Sequence, residues 1–170
     1  MLKLCRYNNR VNLMLRDFRP EDFESLWNID QKCFAPGIAY SKRELATYIR
    51  RRGSFTVVAE AIAQDGVSPG DPGILGFIVA EHRRGVGHII SIDVLSESRR
   101  AGVGSKLLSA AEERLRSIAC RAIFLETAVD NASALAFYKR HSYSVVKISP
   151  RYYSNGVDAF VLEKDIIKPS

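Results

Sequence analysis

The chain has 170 residues, 46% of them hydrophobic and 26% charged, with a formal net charge of +6. That length and balance suit one soluble globular domain over 1–170, with residues 1–10 read as a loose leader. They give no support to a disordered, fibrous or membrane-spanning chain, since no apolar run is long enough to cross a bilayer.

Charge at Lys3 and Arg6 interrupts the N-terminal stretch too early for a secretory signal. Cys5, Cys33 and Cys120 are isolated, odd in number and match no metal or redox spacing, so no metal is expected and a reducing cytoplasm is. The basic clusters at 50–52, 83–84 and 99–100 are short and not interleaved with aromatics, so a nucleic-acid platform is not expected. A small polyanion would account for Arg99 and Arg100.

In chain order, residues 11–16 alternate as a first strand. Pro20, Glu21 and Asp22 open a helix with an apolar face of Phe23, Leu26, Trp27, Ile29 and Phe34. Pro36-Gly37 ends it, and Ser41 with Glu44 forms the capping box of a second helix. Residues 55–62 read as a strand, 64–73 as a turn-rich connector, and 74–81 as the strand that completes an antiparallel hairpin. Residues 84–87 turn into a central strand, 88–95. The spacing of Leu107, Leu108, Ala111, Leu115 and Ile118 predicts a helix, followed by a strand over 122–127. Asp130 or Asn131 caps a helix carrying Ala134, Leu135, Phe137 and Tyr138, and strands over 143–148 and 157–162 close the sheet. This order is α/β with a mixed sheet, in which one right-handed crossover joins the 88–95 and 122–127 strands in parallel.

The turn after the central strand can hold an anion. Glycines let the backbone approach closely, and the free amides of the helix start point at negative charge. It is neither a P-loop, since Lys106 is followed by Leu107, nor a dinucleotide fingerprint, since Leu107 stands where the third glycine belongs. What remains is Arg99-x-x-Gly102-x-Gly104, with Asn131-x-x-Ala134-x-x-Phe137-Tyr138 downstream and Tyr152-Tyr153 followed by Asp158-Ala159.

These motifs resemble the GNAT superfamily of N-acetyltransferases along nearly the whole chain, and most of all its RimI-type protein N-terminal branch. The resemblance implies a mostly antiparallel sheet of about seven strands, about four flanking helices, and a parallel pair splayed at the acetyl-CoA site. It implies acetyl-CoA as cosubstrate, held by Ile92, Asp93, Val94, Arg99, Arg100, Ala101, Gly102, Val103, Gly104, Ser105, Asn131 and Tyr138. It also implies direct transfer to an amine, with Glu126 or His88 as base, both acting through water, and Tyr138 as the acid for the departing thiolate. The Val94 amide becomes an oxyanion donor if the central strand is bulged.

Phe34, Tyr40, Tyr152 and Tyr153 would cover the acceptor, a protein N-terminus or a small amine. Ala39-Tyr40-Ser41 departs from the Pro-Trp-Ser of ribosomal-protein enzymes, which leaves the accepted N-terminus open. Asp93, an acid in an apolar strand, faces either a helix cap or the substrate side. The expected assembly is a monomer or homodimer. An idle acyl-CoA-binding module is the alternative from outside enzymes.

Overall fold

The computed structural model describes residues 12–62 and 73–167. The leader and nearly all of the 64–73 connector lie outside the described residues. Seven strands form one sheet in the order β1-β2-β3-β4-β5-β7-β6. They are β1 Leu13–Asp17, β2 Ser54–Ala61, β3 Ile74–Arg83, β4 Val86–Val94, β5 Ala122–Ala128, β6 Ser144–Ser149 and β7 Ala159–Asp165. All described pairings are antiparallel except β4 with β5. Helices α1 Phe23–Cys33 and α2 Lys42–Arg50 cover one face, and α3 Val103–Ser117 and α4 Ala132–Arg140 the other.

Each face has its own core. Val103, Leu107, Leu108, Ala111 and Leu115 of α3 pack on Ile78, Ile89, Ile123 and Leu125. Leu26, Ile29 and Leu45 of α1 and α2 pack on Val58, Phe77 and Val79. Burial of these branched side chains on both sides supplies most of the driving force for the layered arrangement.

Three expectations shift. The first helix opens with a 3-10 turn, Pro20–Asp22, because Asp22 reaches back to the Arg19 amide at 2.7 Å. The turn into β4 takes only Arg84 (φ 52°) and Gly85 (φ 76°), so Val86 and Gly87 already lie in the strand. A Cβ on Gly87 would lie 2.6 Å from Leu115 Cδ1, which is why α3 can seat there. Finally, β7 starts at Ala159, not at Val157. Tyr153 N donates to the Val157 carbonyl (3.1 Å) and Arg151 N to the Asp158 carboxylate (2.7 Å), which draws those residues into the β6–β7 loop.

A β-bulge at Ile90 sets the geometry of the C-terminal half of β4. Val79 pairs with Ser91 and Ala80 with Ile89, leaving Ile90 as the extra residue. Side-chain parity along β4 therefore flips: Ile89, Ile92 and Val94 pack toward α3, while Ile90 and Leu95 pack toward α1 and α2.

Candidate active site

The parallel β4–β5 ladder runs only from Val86–Ala122 to Ile89–Leu125 and stops at the bulge. Beyond it the strands separate. Gly76 and Val94 oppose each other while Leu95 N donates to Leu75 O (2.9 Å), so Gly76–Val94 is a non-hydrogen-bonded pair. The N–H groups of Ile92 and Val94 consequently face away from β3, into the gap beside β5. An extended, amide-bearing molecule can take the place of a strand there. The Val94 carbonyl accepts from Arg99 Nε (3.0 Å) and Cys33 Sγ (3.4 Å), which fixes the end of β4.

At the mouth of the gap, Gly102 (φ 83°) caps α3 in a conformation that favours glycine. The first intrahelical bond is Lys106 N to Gly102 O (3.0 Å), so the amides of Val103, Gly104 and Ser105 remain free at the positive end of a 15-residue helix. This cradle suits a pyrophosphate. A Cβ on Gly104 would lie 3.4 Å from the Phe137 ring, so that glycine serves the close approach of α4 as well. Asn131 Oδ1 accepts from Ala134 N (3.0 Å) and so acts as the α4 cap, in place of Asp130.

Tyr138 is buried on α4, edge-on to Phe137 and Tyr143. Burial, with a smaller push from Asp93 and Tyr153, raises its phenol and keeps it protonated.

On the α1/α2 face, His88 Nε2 and Glu126 Oε2 are 2.7 Å apart, and the imidazole stacks on Phe124 with centroids at 4.1 Å. The other ring nitrogen, Nδ1, lies 3.6 Å from Glu81 Oε1, and Arg51 reaches Glu81 at 3.3 Å. One imidazole thus stands between two carboxylates in a partly desolvated setting. Protons can be held and handed on along such a line. No motif or spacing in the sequence singles out Glu81 or Arg51.

Above this line, Tyr40 donates its hydroxyl to the Ile90 carbonyl (3.2 Å) and packs on Tyr48. Tyr152 and Tyr153 meet edge to face at 4.9 Å. Burial raises both phenols, Tyr153 to about 12, and the Glu126 charge adds to each shift. The two covering loops are tied together. Ser154 Oγ donates to the Gly37 carbonyl (2.8 Å), and a Cβ on Gly37 would lie 2.8 Å from Asn155 Cβ. Phe34, Gly37, Tyr40 and Ser154 border a cavity of about 360 Å³ at this joint.

The acetyltransferase (GNAT) family model matches residues 23–143. The chain belongs to the GNAT acetyltransferase family. It is therefore an acetyl-CoA-dependent N-acetyltransferase. An uncharacterized N-acetyltransferase of Methanocaldococcus jannaschii is 31% identical over 153 residues, covering 89% of this chain and 91% of that protein. An N-alpha-acetyltransferase of Sulfurisphaera tokodaii is 35% identical over 77 residues, 45% of this chain and only 46% of its own length. The crystal structure of Ard1 from Thermoplasma volcanium superposes with a TM-score of 0.80 at 25% identity, covering 93% of this chain and 100% of that one.

The GNAT fold brings His88 and Glu126 together, and sets Ile92, Val94 and the 102–105 cradle along one gap. It separates Asp93 from the other coenzyme candidates. Asp93 opposes Phe77 in a hydrogen-bonded pair, so its backbone faces β3, and its carboxyl is 1% exposed against α1. The helix-cap or substrate-side alternatives for Asp93 thus give way to a third, a buried contact.

Proposed function

We propose that this GNAT enzyme acetylates the N-terminal α-amine of a protein. The observation that carries the reading is the Ser154–Gly37 tie. It joins the loop of Tyr40 to the loop of Tyr152 and Tyr153, whose phenols feel the Glu126 charge, and an acceptor entering end-on beside these tyrosines reaches the His88–Glu126 line. A chain terminus suits an approach bounded by two joined loops. The name of the S. tokodaii relative, an N-alpha-acetyltransferase, agrees with this class of acceptor.

The chemistry required is modest. An α-amine titrates at about 7.7–8.0, so about a tenth or somewhat more is already neutral at neutral pH, whereas a lysine at about 10.4 asks far more of a base. Glu126, paired with His88, takes the ammonium proton through water. The Val94 amide, facing the gap, donates to the carbonyl oxygen as charge builds on it. Tyr138, kept protonated by burial, supplies the proton for the departing thiolate. The Val103–Ser105 amides hold the pyrophosphate, with Arg100 beside them. The helix cap at Asn131 keeps α4 and Tyr138 in line.

Coenzyme A release is measured against a panel of N-terminal peptides and against free polyamines. Turnover of peptides with a free α-amine, abolished by blocking that amine, is expected. Turnover of a polyamine without any peptide reassigns the acceptor. Acetyl-CoA binding without turnover of either would leave only a binding module.

A further inference from the structure

Two carboxylates that this mechanism does not use lie wholly inside the protein. Asp30 on α1 is 0% exposed and Asp93 on β4 is 1% exposed, and each carboxyl acts directly on the other's proton. Asp30 Oδ2 accepts from Tyr40 N (2.8 Å) and Gln31 Nε2 (3.0 Å), and Asp93 Oδ1 accepts from Ser91 Oγ (2.6 Å). The remaining oxygens, Asp30 Oδ1 and Asp93 Oδ2, have no donor from any other group among the described residues. Two ionised carboxylates in contact without water would repel each other strongly, whereas one proton between them satisfies both oxygens.

We propose that Asp30 and Asp93 share a single proton, and that this carboxyl pair pins the acceptor loop, residues 34–40, to the bulged strand β4. The loop is held through Tyr40 at three atoms: its amide by Asp30, its carbonyl by Trp27 Nε1 (3.1 Å) and Gln31 Nε2 (2.8 Å), and its hydroxyl by the Ile90 carbonyl. Asp30 is thus the link between the loop and the strand whose Val94 amide faces the reacting carbonyl. Asp30 and Asp93 are positioning residues, and their role in acceptor binding rests on the reading of the acceptor as a protein N-terminus.

The groups facing the pair are few. Cys33 of α1, Tyr40 of the loop and Tyr138 of α4 all feel the Asp93 charge, and Glu44 of α2 adds repulsion on Asp30. Arg99 offers a small opposing attraction. Burial is the largest cause and raises both carboxyls above their ordinary range. The folded protein therefore holds a proton that the unfolded chain releases near pH 3.9. Stability contributed by the pair is present at low pH and declines as pH rises through the folded values.

The test compares wild type with Asp93→Asn, Asp93→Ala and Asp30→Asn. Melting temperature is followed from pH 5 to pH 9 without substrate, and KM is measured separately for acetyl-CoA and an acceptor peptide. The wild-type melting temperature is expected to fall as pH rises. Asp93→Asn, whose amide donates at every pH, is expected to flatten that curve and to exceed wild type at pH 9. Asp93→Ala is expected to raise the acceptor KM severalfold with little change for acetyl-CoA, and Asp93→Asn to recover most of that loss. An Asp93→Asn curve parallel to wild type, or equal rises in both KM values, overturns the proposal. If no peptide is turned over, the acceptor reading fails, while the melting curves still decide whether the proton is shared.

Discussion

Across the parallel strand pair, His88 Nε2 meets Glu126 Oε2 at 2.7 Å while Glu81 stands 3.6 Å behind the ring's other nitrogen. The imidazole is flanked on both edges and stacked on Phe124, so its orientation is fixed before an acceptor arrives.

Glu126→Gln removes the carboxylate that ends this line. Loss of a general base typically costs about 10²–10⁴-fold. The fall in kcat/KM is expected to be greatest below pH 7, where most of an α-amine is charged, and smallest above pH 8.5. A pH–rate profile parallel to wild type excludes Glu126 as the base.

Tyr138→Phe keeps the buried ring and removes only the phenolic proton. Turnover is expected to drop by about 10²-fold with acetyl-CoA affinity, measured by calorimetry, almost unchanged. Weaker binding at unchanged turnover would assign Tyr138 to packing.

Gly102→Val places a branched side chain at φ 83°, although nothing lies within 4 Å of its Cβ. The strain is of order 1–3 kcal/mol and falls on the amides that cap α3. A raised KM for acetyl-CoA with little change for the acceptor is the expected result. Gly104→Leu would strike Phe137 and disturb α4 as well, so it is expected to lower thermal stability along with coenzyme affinity.

Arg16 joins Asp22 and Glu60, tying β1, β2 and the start of α1 together. Hydrogen bonding to Arg16 holds Asp22 below the usual carboxylate range. Stability from this pair is therefore present above about pH 4 and is lost as pH falls through the depressed folded value. Arg16→Met strands the buried Asp22 and the partly buried Glu60 and is expected to cost about 2–3 kcal/mol at pH 7. Denaturant titration at pH 7 and pH 3 should show most of that difference gone at the lower pH.

Much of this arrangement is legible in the chain. The capping box at Ser41 and Glu44 forms as read, with Glu44 Oε2 2.8 Å from the Ser41 amide. Helical spacing along α3 and short β-branched runs place nearly every element, because each is amphipathic against one sheet. Glu126 and Tyr138 stand out as polar groups at ordered positions within motifs. Glu81 and Asp30 do not, for a physical reason. Their partners depend on cross-strand register, and one bulge decides that register. If Ile90 were paired rather than bulged, continuous pairing from Val79–Ser91 would set Glu81 opposite Ile89; with the bulge, Glu81 opposes His88. No periodicity in a single strand announces its neighbour's bulge.

The Ile90 bulge behaves as a frameshift written into the sheet. His88, at an even position, and Asp93, at an odd one, share a face only because the strand skips a beat between them. Deleting Ile90 would leave every other pair and both faces as they are. Drawing it into continuous pairing would instead restore regular alternation and send one of the two to the α3 side, whichever end of the strand held its place. No point substitution elsewhere could repair that, since side chains can be exchanged but parity cannot. The proton line and the loop anchor are thus coupled through a backbone count: they share a face because one residue between them stands outside the pairing.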